Sequence, residues 1–593
     1  MVGNRRKSGG DGKISSSRHV ARTSHNFGGG TKVRKIFEAA NSNRPFILVG
    51  FFALFALALI VRLVFLTMIT ADEYSQKAED SRTAEITVEA RRGTIYDRNG
   101  NVLACSVDAT TIYAVPSEVT DAKGTATILA AILKKDASEL EATLSDKSTS
   151  FCYISRKEKT DVAETVKNLD LDGIYFLEDS RREYPYGSVG GTVIGFVNVD
   201  GKGVSGLESE YDSILRGVDG VKRMELGVNS VPITSGEDKS VSAVDGQDIM
   251  VSIDIEMQAY LEQVLVQWKE SLSAETEAVL MDAATGEIYA ASSTPLLNPT
   301  DTSKIEEGST ELAIVSRSYE PGSIFKTVTA LTALEAKTVD TEDEFDCPSE
   351  LPADQYYVSD SHTRGDVTYT FREIMQYSSN VGISLIAEKT GFQALYNNII
   401  AWGLNDLTGV DYPGESSGYL LDFDQWAKIQ GYSVSFGQGI SVTPLQITRL
   451  YGAIVNKGVA VTPHFLIAYP QTGEKPTYES KQIIYSQETI DKVTSMLQTV
   501  VSEGTGTSAQ IYGFEPAGKT GTAEIAADDG GYRTDIYNVS FTGYIPDSTS
   551  TFVCFTGAMN QPAEGNVSGM FADIMSFAID RYKIVANQSN QSN

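Results

Sequence analysis

Three short strings in the C-terminal half of the chain carry residue types that together can transfer an acyl group. They are Ser323-Ile-Phe-Lys326, Ser378-Ser-Asn380 and Lys519-Thr-Gly-Thr522, in that order. The first supplies a nucleophilic hydroxyl with a lysine three residues later, the second a hydroxyl and an amide, and the third a cation with hydroxyls. Such a set can form and break a serine ester.

A serine hydroxyl is a weak nucleophile at its ordinary pKa and needs a base within hydrogen-bond reach. Histidine is the usual base, but the chain has only four, and His19 and His25 lie in the basic N-terminal tail. A Ser-His-Asp triad is therefore disfavoured. Lysine can replace histidine when burial or a neighbouring cation depresses its pKa, because it then carries a lone pair near neutral pH.

The segment 321–335 predicts a helix that begins at Ser323, after a Pro-Gly break, and that is apolar on most of its circumference. Residues three apart share a helix face, so Lys326 is predicted one turn above Ser323 in a desolvated setting. The start of a helix also offers backbone N–H groups where an oxyanion would form. Both conditions for an activated serine are met by the pattern.

Further segments predict the elements around these strings. The run 518–524 and the β-branched and aromatic runs 538–544 and 550–556 are typical of successive antiparallel strands. The segments 490–501 and 570–584 predict helices that flank them. A sheet with helices packed on it is the expected layer plan.

Longer stretches around the strings resemble the transpeptidase domain of penicillin-binding proteins, in the serine acyl-transferase superfamily that also contains the serine β-lactamases. The resembling stretches are Asp282–Ala291, Tyr319–Ser323, Ser378–Gly382, Phe436–Pro444 and Ala517–Ala523. The likeness covers roughly Gly246 to Val585. Any one string is common by chance, and their order and local context carry the identification.

This resemblance implies a role for each polar residue of the first two strings. Ser323 would be the acylated nucleophile, and Lys326 would take its proton. Ser378 would relay a proton to the leaving amine. Asn380 would hold Lys326 and the amide of the substrate.

The resemblance also assigns the third string. Lys519 would supply a positive field, and Thr520, Gly521 and Thr522 would bind the substrate, with the two hydroxyls on its terminal carboxylate. Glycine in this strand lets a ligand backbone approach closely. The backbone N–H groups of Ser323 and Thr522 would form the oxyanion hole.

An apolar segment, Phe46–Ile69, has 24 residues and is long enough to cross a hydrocarbon core of ~30 Å, although Arg62 interrupts it. Residues 1–45 hold ten lysines or arginines and two acidic residues, a net of +8, so the remainder carries −37. The positive-inside bias places the tail in the cytoplasm and everything after the span outside. We therefore expect a single-pass protein of a bacterial cell membrane.

Five regions are expected along the chain: a basic disordered tail (1–45), a transmembrane helix (46–69), a pedestal or dimerisation domain (70–245), a transpeptidase domain (246–585) and a polar tail (586–593). The pedestal resembles the non-catalytic domain of class B penicillin-binding proteins at Ala90–Ala104, Arg182–Pro185, Val193–Phe196 and Gly203–Glu208. The first of these stretches predicts two strands joined by an Asn-Gly turn. The fold class is thus multidomain α+β or α/β: a membrane helix, an elongated and mostly β pedestal, and a β-lactamase-like catalytic domain.

Taken together, the resemblance and the expected localisation outside the membrane imply a peptidoglycan D,D-transpeptidase. It would cross-link stem peptides ending in D-Ala-D-Ala in cell-wall synthesis at division. β-Lactams would acylate Ser323. No glycosyltransferase motif is found in the pedestal, so a SEDS-family glycan polymerase is the expected partner, with other division or elongation membrane proteins. Residues alone do not separate septation from elongation or sporulation.

Three alternative functions share parts of this pattern. A class A β-lactamase would need a Glu-x-x-Leu-Asn string between the second and third motifs, and none occurs. A D,D-carboxypeptidase, in which water replaces the acceptor amine, is separated only by the large pedestal. A non-enzymatic cell-wall scaffold would be signalled by loss of Ser323 or Lys519, and both are present.

The positions of the cysteines and histidines and the net charge argue against a disulfide scaffold, a metal site and a nucleic-acid-binding function. The four cysteines, Cys105, Cys152, Cys347 and Cys554, are scattered and favour buried free thiols over a disulfide scaffold. No metal-ligand spacing occurs among Cys and His, so no metal or cofactor is expected. The acidic outer portion argues against nucleic acid as a partner. His362 lies in a polar stretch and is expected to be a solvated loop residue.

Overall fold

A computed structural model describes residues 44–69, 83–149, 151–225, 241–482, 485–527, 531–563 and 565–587. The chain forms two compact units, one of residues 1–85 and 223–238 and the other of residues 86–222 and 239–593. Most of the expected pedestal therefore folds in the same compact unit as the expected transpeptidase domain. Residues 528–530, most of the expected basic tail and most of the expected polar tail lie outside the described residues.

The first unit contains an apolar helix, α1 (Arg44–Val64), which continues as a π-helical turn, Phe65–Ile69. The 23 residues Phe46–Met68 are long and apolar enough to cross a membrane, and none of them is buried. The Arg62 guanidinium lies 5.7 Å from the centre of the Phe65 ring. The helix coincides with the apolar segment that the sequence indicates.

The described residues of the expected pedestal region form six strands and six α-helices. The strands are β1 (Thr83–Val88), β2 (Ile95–Tyr96), β3 (Val102–Ala114), β4 (Cys152–Lys159), β5 (Ile174–Glu183) and β6 (Gly220–Glu225). The helices are α2 (Ala122–Leu133), α3 (Ala137–Ser145), α4 (Thr160–Lys167), α5 (Gly191–Ile194), α6 (Gly206–Glu210) and α7 (Asp212–Leu215). As predicted, β2 and β3 form an antiparallel hairpin with Gly100 in its turn at a φ of 86°.

The remaining described residues form fifteen strands and ten helices. The strands are β7 (Ile249–Val251), β8 (Glu275–Asp282), β9 (Ile288–Ser293), β10 (Glu344–Cys347), β11 (Glu350–Ala353), β12 (Tyr356–Ser359), β13 (Val367–Thr370), β14 (Tyr419–Leu420), β15 (Ile440–Ser441), β16 (Val459–Val461), β17 (Leu466–Ala468), β18 (Ser480–Gln482), β19 (Ala517–Ala526), β20 (Tyr532–Tyr544) and β21 (Phe552–Gln561). The helices are α8 (Ile255–Leu272), α9 (Ala313–Ser316), α10 (Lys326–Glu335), α11 (Phe371–Gln376), α12 (Asn380–Thr390), α13 (Phe392–Trp402), α14 (Lys428–Ser435), α15 (Pro444–Val455), α16 (Gln487–Ser502) and α17 (Ser568–Tyr582).

A five-stranded antiparallel sheet, in the order β19-β20-β21-β8-β9, divides the catalytic region into two apolar layers. Successive side chains of a strand point to opposite faces, so Leu280 joins the core under α8 and α17 while Val279 joins the core that contains α10. The predicted strands and the two predicted flanking helices are all observed. The strand β19 lies at the edge of the sheet, with one side of its backbone unpaired by β20.

A second sheet joins the two regions that the sequence separates. Its path is β17-β7-β2-β3-β4, with β5 also paired to β3. The link is a parallel pairing of β2 with β7, in which Ile95 faces Ile249. The Tyr211 hydroxyl also donates to Asp411 at 2.5 Å, and the Tyr412 hydroxyl donates to the Thr192 carbonyl at 2.7 Å. The two regions are therefore continuous in hydrogen bonding.

A buried carboxylate organises the pedestal. Glu208 is fully buried and accepts from Arg92 Nε at 2.6 Å and from Arg182 Nε at 2.7 Å. These three residues come from three of the stretches that carry the pedestal's resemblance. The ion pairs between them neutralise charges whose burial without a partner would be strongly unfavourable.

Candidate active site

The first string lies where a short turn meets a helix. Residues Gly322–Phe325 form a 3₁₀ turn, and the α-helix α10 begins only at Lys326. The predicted start of an α-helix at Ser323 is therefore wrong by three residues. Gly322 takes a φ of 56° and donates to the Gly437 carbonyl at 3.0 Å, and this fixed approach tightens the first turn. Ser323, near the start of this turn, is half-buried.

Lys326 is fully buried and brings the first two strings together. Its Nζ lies 2.9 Å from Ser323 Oγ and 3.0 Å from Ser378 Oγ. It also lies 2.5 Å from the Ser378 carbonyl oxygen and 2.8 Å from Asn380 Oδ1. The carbonyl and the amide oxygen can only accept, so a neutral amine that donates to both keeps its lone pair for a hydroxyl proton.

Burial lowers the pKa of Lys326 to about 7, and the nearby Asp360 carboxylate acts in the opposite direction. An amine with this pKa is divided between its charged and neutral forms near neutral pH. The neutral form is a base within hydrogen-bond distance of a serine hydroxyl. The two side chains are therefore neighbours, as the spacing of three predicts.

Ser378 occupies the centre of the site in a left-handed backbone conformation, with a φ of 60°. Its Oγ lies 3.0 Å from the Nζ of Lys326 and 3.0 Å from the Nζ of Lys519. A non-glycine residue in this region is strained and persists where neighbours fix it. The hydroxyl therefore lies between two amines and can pass a proton from one to the other.

Lys519 projects from β19 and is fully buried. Besides Ser378, its Nζ contacts the Thr520 carbonyl oxygen at 3.1 Å. Burial and the proximity of Lys326 hold its pKa well below the ordinary lysine range. The two lysines are in electrostatic competition, so protonation of one favours the neutral form of the other.

The strand β19 presents the rest of the third string. Thr522 is exposed, and Gly521 packs so closely that a Cβ there would lie 2.7 Å from the Pro321 carbonyl oxygen. A Cβ on Gly322 would likewise lie 2.5 Å from the Thr522 carbonyl oxygen. The edge strand and the turn that carries Ser323 are therefore packed backbone to backbone, which requires glycine on both sides.

Residues 276–576 match the family model of the penicillin-binding protein transpeptidase domain, and residues 87–251 match that of the penicillin-binding protein dimerisation domain. The chain belongs to the class B penicillin-binding proteins. The match to the transpeptidase model spans about half of the chain and includes all three strings.

Curated relatives of this penicillin-binding protein cover most of its length. Stage V sporulation protein D of Bacillus subtilis is 31% identical, over 84% of this chain and 79% of the relative. The peptidoglycan D,D-transpeptidase FtsI of Escherichia coli is 30% identical, over 87% of each. Penicillin-binding protein 3 of Mycobacterium tuberculosis, solved with aztreonam, is 25% identical with a TM-score of 0.65, over 85% of this chain and all of that one.

Two residues of this penicillin-binding protein's site escaped the sequence prediction. Asp360 accepts hydrogen bonds from Ser379 and from the backbone of Val381, and so holds the second string. Thr505 Oγ1 lies 2.7 Å from Thr520 Oγ1 and adds a hydroxyl beside the third string. Both lie in polar stretches outside the strings, where no spacing rule distinguishes them from loop residues.

The remaining predictions concern residues outside the site. His362 is exposed, as expected of a solvated loop histidine. All four cysteines are unpaired, with Cys347 and Cys554 buried and Cys105 and Cys152 partly exposed. Among the described residues, no group of His, Cys, Asp or Glu side chains is arranged to hold a metal ion.

Proposed function

We propose that this chain is a membrane-anchored, serine-type peptidoglycan D,D-transpeptidase that cross-links stem peptides through an acyl-enzyme on Ser323. The observation that carries the proposal is the contact of one buried amine, Lys326 Nζ, with Ser323 Oγ, Ser378 Oγ and Asn380 Oδ1. A buried lysine in this setting can deprotonate the serine without histidine. The named activities of relatives such as FtsI support the same reaction.

Acylation follows from the distances. Ser323 Oγ attacks the carbonyl carbon of the penultimate D-Ala, and its proton moves 2.9 Å to Lys326 Nζ. The developing oxyanion is bound by the backbone N–H groups of Ser323 and Thr522. The C–N bond then breaks, and Ser378 Oγ delivers a proton to the leaving D-Ala amine and is reprotonated by a lysine at 3.0 Å.

Transfer to the acceptor reverses these proton movements. The amine of a second stem peptide attacks the ester carbonyl and gives up a proton to the lysine amine that the first half-reaction left neutral. The C–Oγ bond breaks, and Ser323 regains its proton. The product is a cross-linked peptide and a free enzyme, so no net proton is gained or lost by the site.

Recognition of the donor is assigned to β19. Thr520 and Thr522, in the field of Lys519, would bind the terminal carboxylate of the stem peptide. Gly521 allows the substrate backbone to lie against the strand. A penicillin, which carries a carboxylate and a reactive lactam carbonyl, would occupy the same groups and acylate Ser323; that the M. tuberculosis relative was solved in complex with ampicillin supports binding of such a molecule.

Hydrolytic alternatives find less support in the site. A β-lactamase needs a base that activates water on the acyl-enzyme, and among the described residues no carboxylate hydrogen-bonds to Ser323 or Lys326. A D,D-carboxypeptidase would use the same amines. The comparison with named transpeptidases favours transfer to an amine over transfer to water.

Anchoring and partners complete the proposal. The helix α1 would cross the bacterial cell membrane once, with the basic tail in the cytoplasm and the catalytic region outside. Because the family models match a dimerisation and a transpeptidase domain, polymerisation of glycan would be supplied by a SEDS-family partner. Relatives named for sporulation and for division both occur, and a function at division remains our proposal.

Intact mass spectrometry of the full-length protein with benzylpenicillin tests the proposal. A persistent one-to-one adduct is expected, and the Ser323→Ala variant should form none. Ser318→Ala removes an exposed serine from the same segment and should acylate normally. A thioester donor with a terminal carboxylate, offered with an amino-acid acceptor, should then give amide product. Hydrolysis alone, or an adduct that survives Ser323→Ala, would contradict the proposal.

A further inference from the structure

A carboxylate outside the three strings fixes the geometry of the second one. We propose that Asp360 is a positioning residue of the acyl-transfer site, which holds residues 378–380 in place and acts through them and through its charge on Lys326. This inference rests on the proposed function and deepens it. Asp360 follows directly after β12, at the end of the β11–β12 hairpin.

Both oxygens of Asp360 are engaged. Oδ1 accepts from the Val381 backbone N–H at 3.0 Å, and Oδ2 accepts from Ser379 Oγ at 2.9 Å and from Arg364 Nε at 2.6 Å. Ser379 is also the N-cap of α12, where its hydroxyl accepts from the Gly382 N–H at 2.9 Å. One carboxylate therefore replaces the missing partners at the start of this helix and ties it to the hairpin.

The hairpin also orients the amide of the second string. Asn380 Nδ2 donates to the Ser359 carbonyl oxygen at 3.1 Å. This contact fixes which end of the amide faces Lys326, so that Oδ1 accepts from Nζ at 2.8 Å. Without it the amide could rotate and present a donor to a donor.

The strained residue lies between these two anchors. Ser378 has a φ of 60°, a conformation that neighbours must hold because it is unfavourable for serine. On one side Lys326 contacts its carbonyl oxygen and its hydroxyl. On the other side Ser379 and Val381 are held by Asp360. Loss of either anchor allows the backbone to relax and moves the central hydroxyl away from the amines.

Asp360 also acts electrostatically. Burial opposes its ionisation, but hydrogen bonds from Val381 and Arg364 and the charge of Lys326 outweigh burial and lower its pKa. It is therefore an anion across the neutral range. The titratable and charged groups around Lys326 are Lys519, from β19, and Asp360, with Arg364 behind it. The anion stabilises the protonated form of Lys326, so its removal should lower the pKa of the base.

Two variants separate position from charge. Asp360→Asn keeps one acceptor and removes the charge, whereas Asp360→Glu keeps the charge and displaces the carboxylate by one methylene. The control is Asp354→Asn, on the same hairpin, where the carboxylate accepts from the Ile429 N–H away from the second string. Each full-length protein, in detergent, is titrated with benzylpenicillin from pH 5 to 9, and the second-order rate constant of acylation is measured.

The expected results differ in sign and in kind. Asp360→Asn should move the midpoint of the acid limb down by about half a pH unit or more, because a less stabilised ammonium loses its proton at lower pH. Asp360→Glu should leave the midpoint in place and lower the plateau about tenfold or more through misplacement of Ser378. Asp354→Asn should change neither. A wild-type midpoint in Asp360→Asn, or a wild-type plateau in Asp360→Glu, overturns the inference.

A further variant covers loss of folding in Asp360→Asn. Arg364→Gln leaves the carboxylate but removes the cation beside it, so the midpoint should move up rather than down. An unchanged or lower midpoint would count against the inference. Failure of the wild-type protein itself to acylate, with Ser323→Ala as reference, would instead reject the proposed function and not the positioning of Asp360.

Discussion

Substitution of Gly521 by alanine tests the close packing between the edge strand and the turn that carries the nucleophile. A Cβ at position 521 would lie 2.7 Å from the Pro321 carbonyl oxygen, 2.7 Å from Ser540 Oγ and 3.0 Å from Ile324 Cγ1. Ordinary contacts begin at 3.4 Å, so strand and turn must separate by about 0.7 Å, the difference between these distances. Two of the three obstacles are a backbone oxygen and a buried hydroxyl, which have little freedom to move.

The displacement acts directly on the reacting groups. Thr522 and Lys519 lie on the strand, and Ser323 lies on the turn, so their separation grows by a similar amount. A misplacement of about 1 Å can cost roughly a hundredfold in rate. We expect Gly521→Ala to lower the second-order rate constant of acylation by about 30-fold to 100-fold. The accompanying loss of stability should be about 1–3 kcal/mol, typical of an overpacked core.

Stopped-flow acylation with a chromogenic cephalosporin, combined with thermal unfolding, measures both effects. Gly365→Ala is the matched control, because a Cβ there meets nothing within 4 Å and its backbone needs no left-handed conformation. The control should acylate at the wild-type rate. A Gly521→Ala protein that folds and acylates as fast as the control would refute the argument that backbone contact sets the position of β19.

Three further predictions concern pH, the carboxylate pocket and the pedestal. The pKa of Lys326 is lowered to about 7, so the neutral base is lost as the pH falls, and acylation should slow about tenfold per pH unit below that value; a flat profile between pH 5.5 and 8 would contradict this. Thr505→Val removes the hydroxyl that contacts the third string, and it should raise the KM for a thioester with a terminal carboxylate about fivefold to tenfold with little change in kcat; an effect confined to kcat would argue against a binding role. Glu208→Gln removes the buried anion that Arg92 and Arg182 share; Arg92 keeps its pair with Asp212, whereas Arg182 loses its carboxylate partner, so the free energy of unfolding should fall by about 3 kcal/mol or more, as read from urea unfolding. Asp108→Asn, which breaks an exposed pair, should leave the urea midpoint unchanged, and equal effects of the two substitutions would refute this reasoning.

The parts of the fold that sequence could predict are those whose signal is local. The strands 517–526 and 552–561 and their flanking helices follow from runs of β-branched or helix-forming residues, and the first string follows from spacing of three. The turn at Gly322–Phe325 departs from this because its geometry is imposed by contact with β19, some 200 residues later in the chain. The apolar periodicity indicates the helix but carries no information about the strand that tightens its first turn.

The missed site residues have the same cause. Asp360 reaches the second string across 19 residues, because the β11–β12 hairpin folds back on the start of α12. In sequence Asp360 lies two positions before His362, and histidine is the more usual residue type at a serine active site. Thr505 reaches Thr520 only because a turn after α16 packs on the edge strand. In both cases a short polar side chain gains its function from tertiary contact, and residue type alone indicates only a solvated loop.

The parallel pairing of β2 with β7 bears on how the protein can be divided. A fragment that begins at Gly246 would retain all three strings and most of the matched transpeptidase model. It would nevertheless lose Ile95 beside Ile249, and β7 would become an open strand with unpaired backbone groups and exposed apolar side chains. Such a fragment is expected to self-associate through the exposed edge of β7. The pedestal residues 86–222 therefore belong to the same compact unit as the transpeptidase region, and a fragment that keeps β7 paired with β2 must begin before β2.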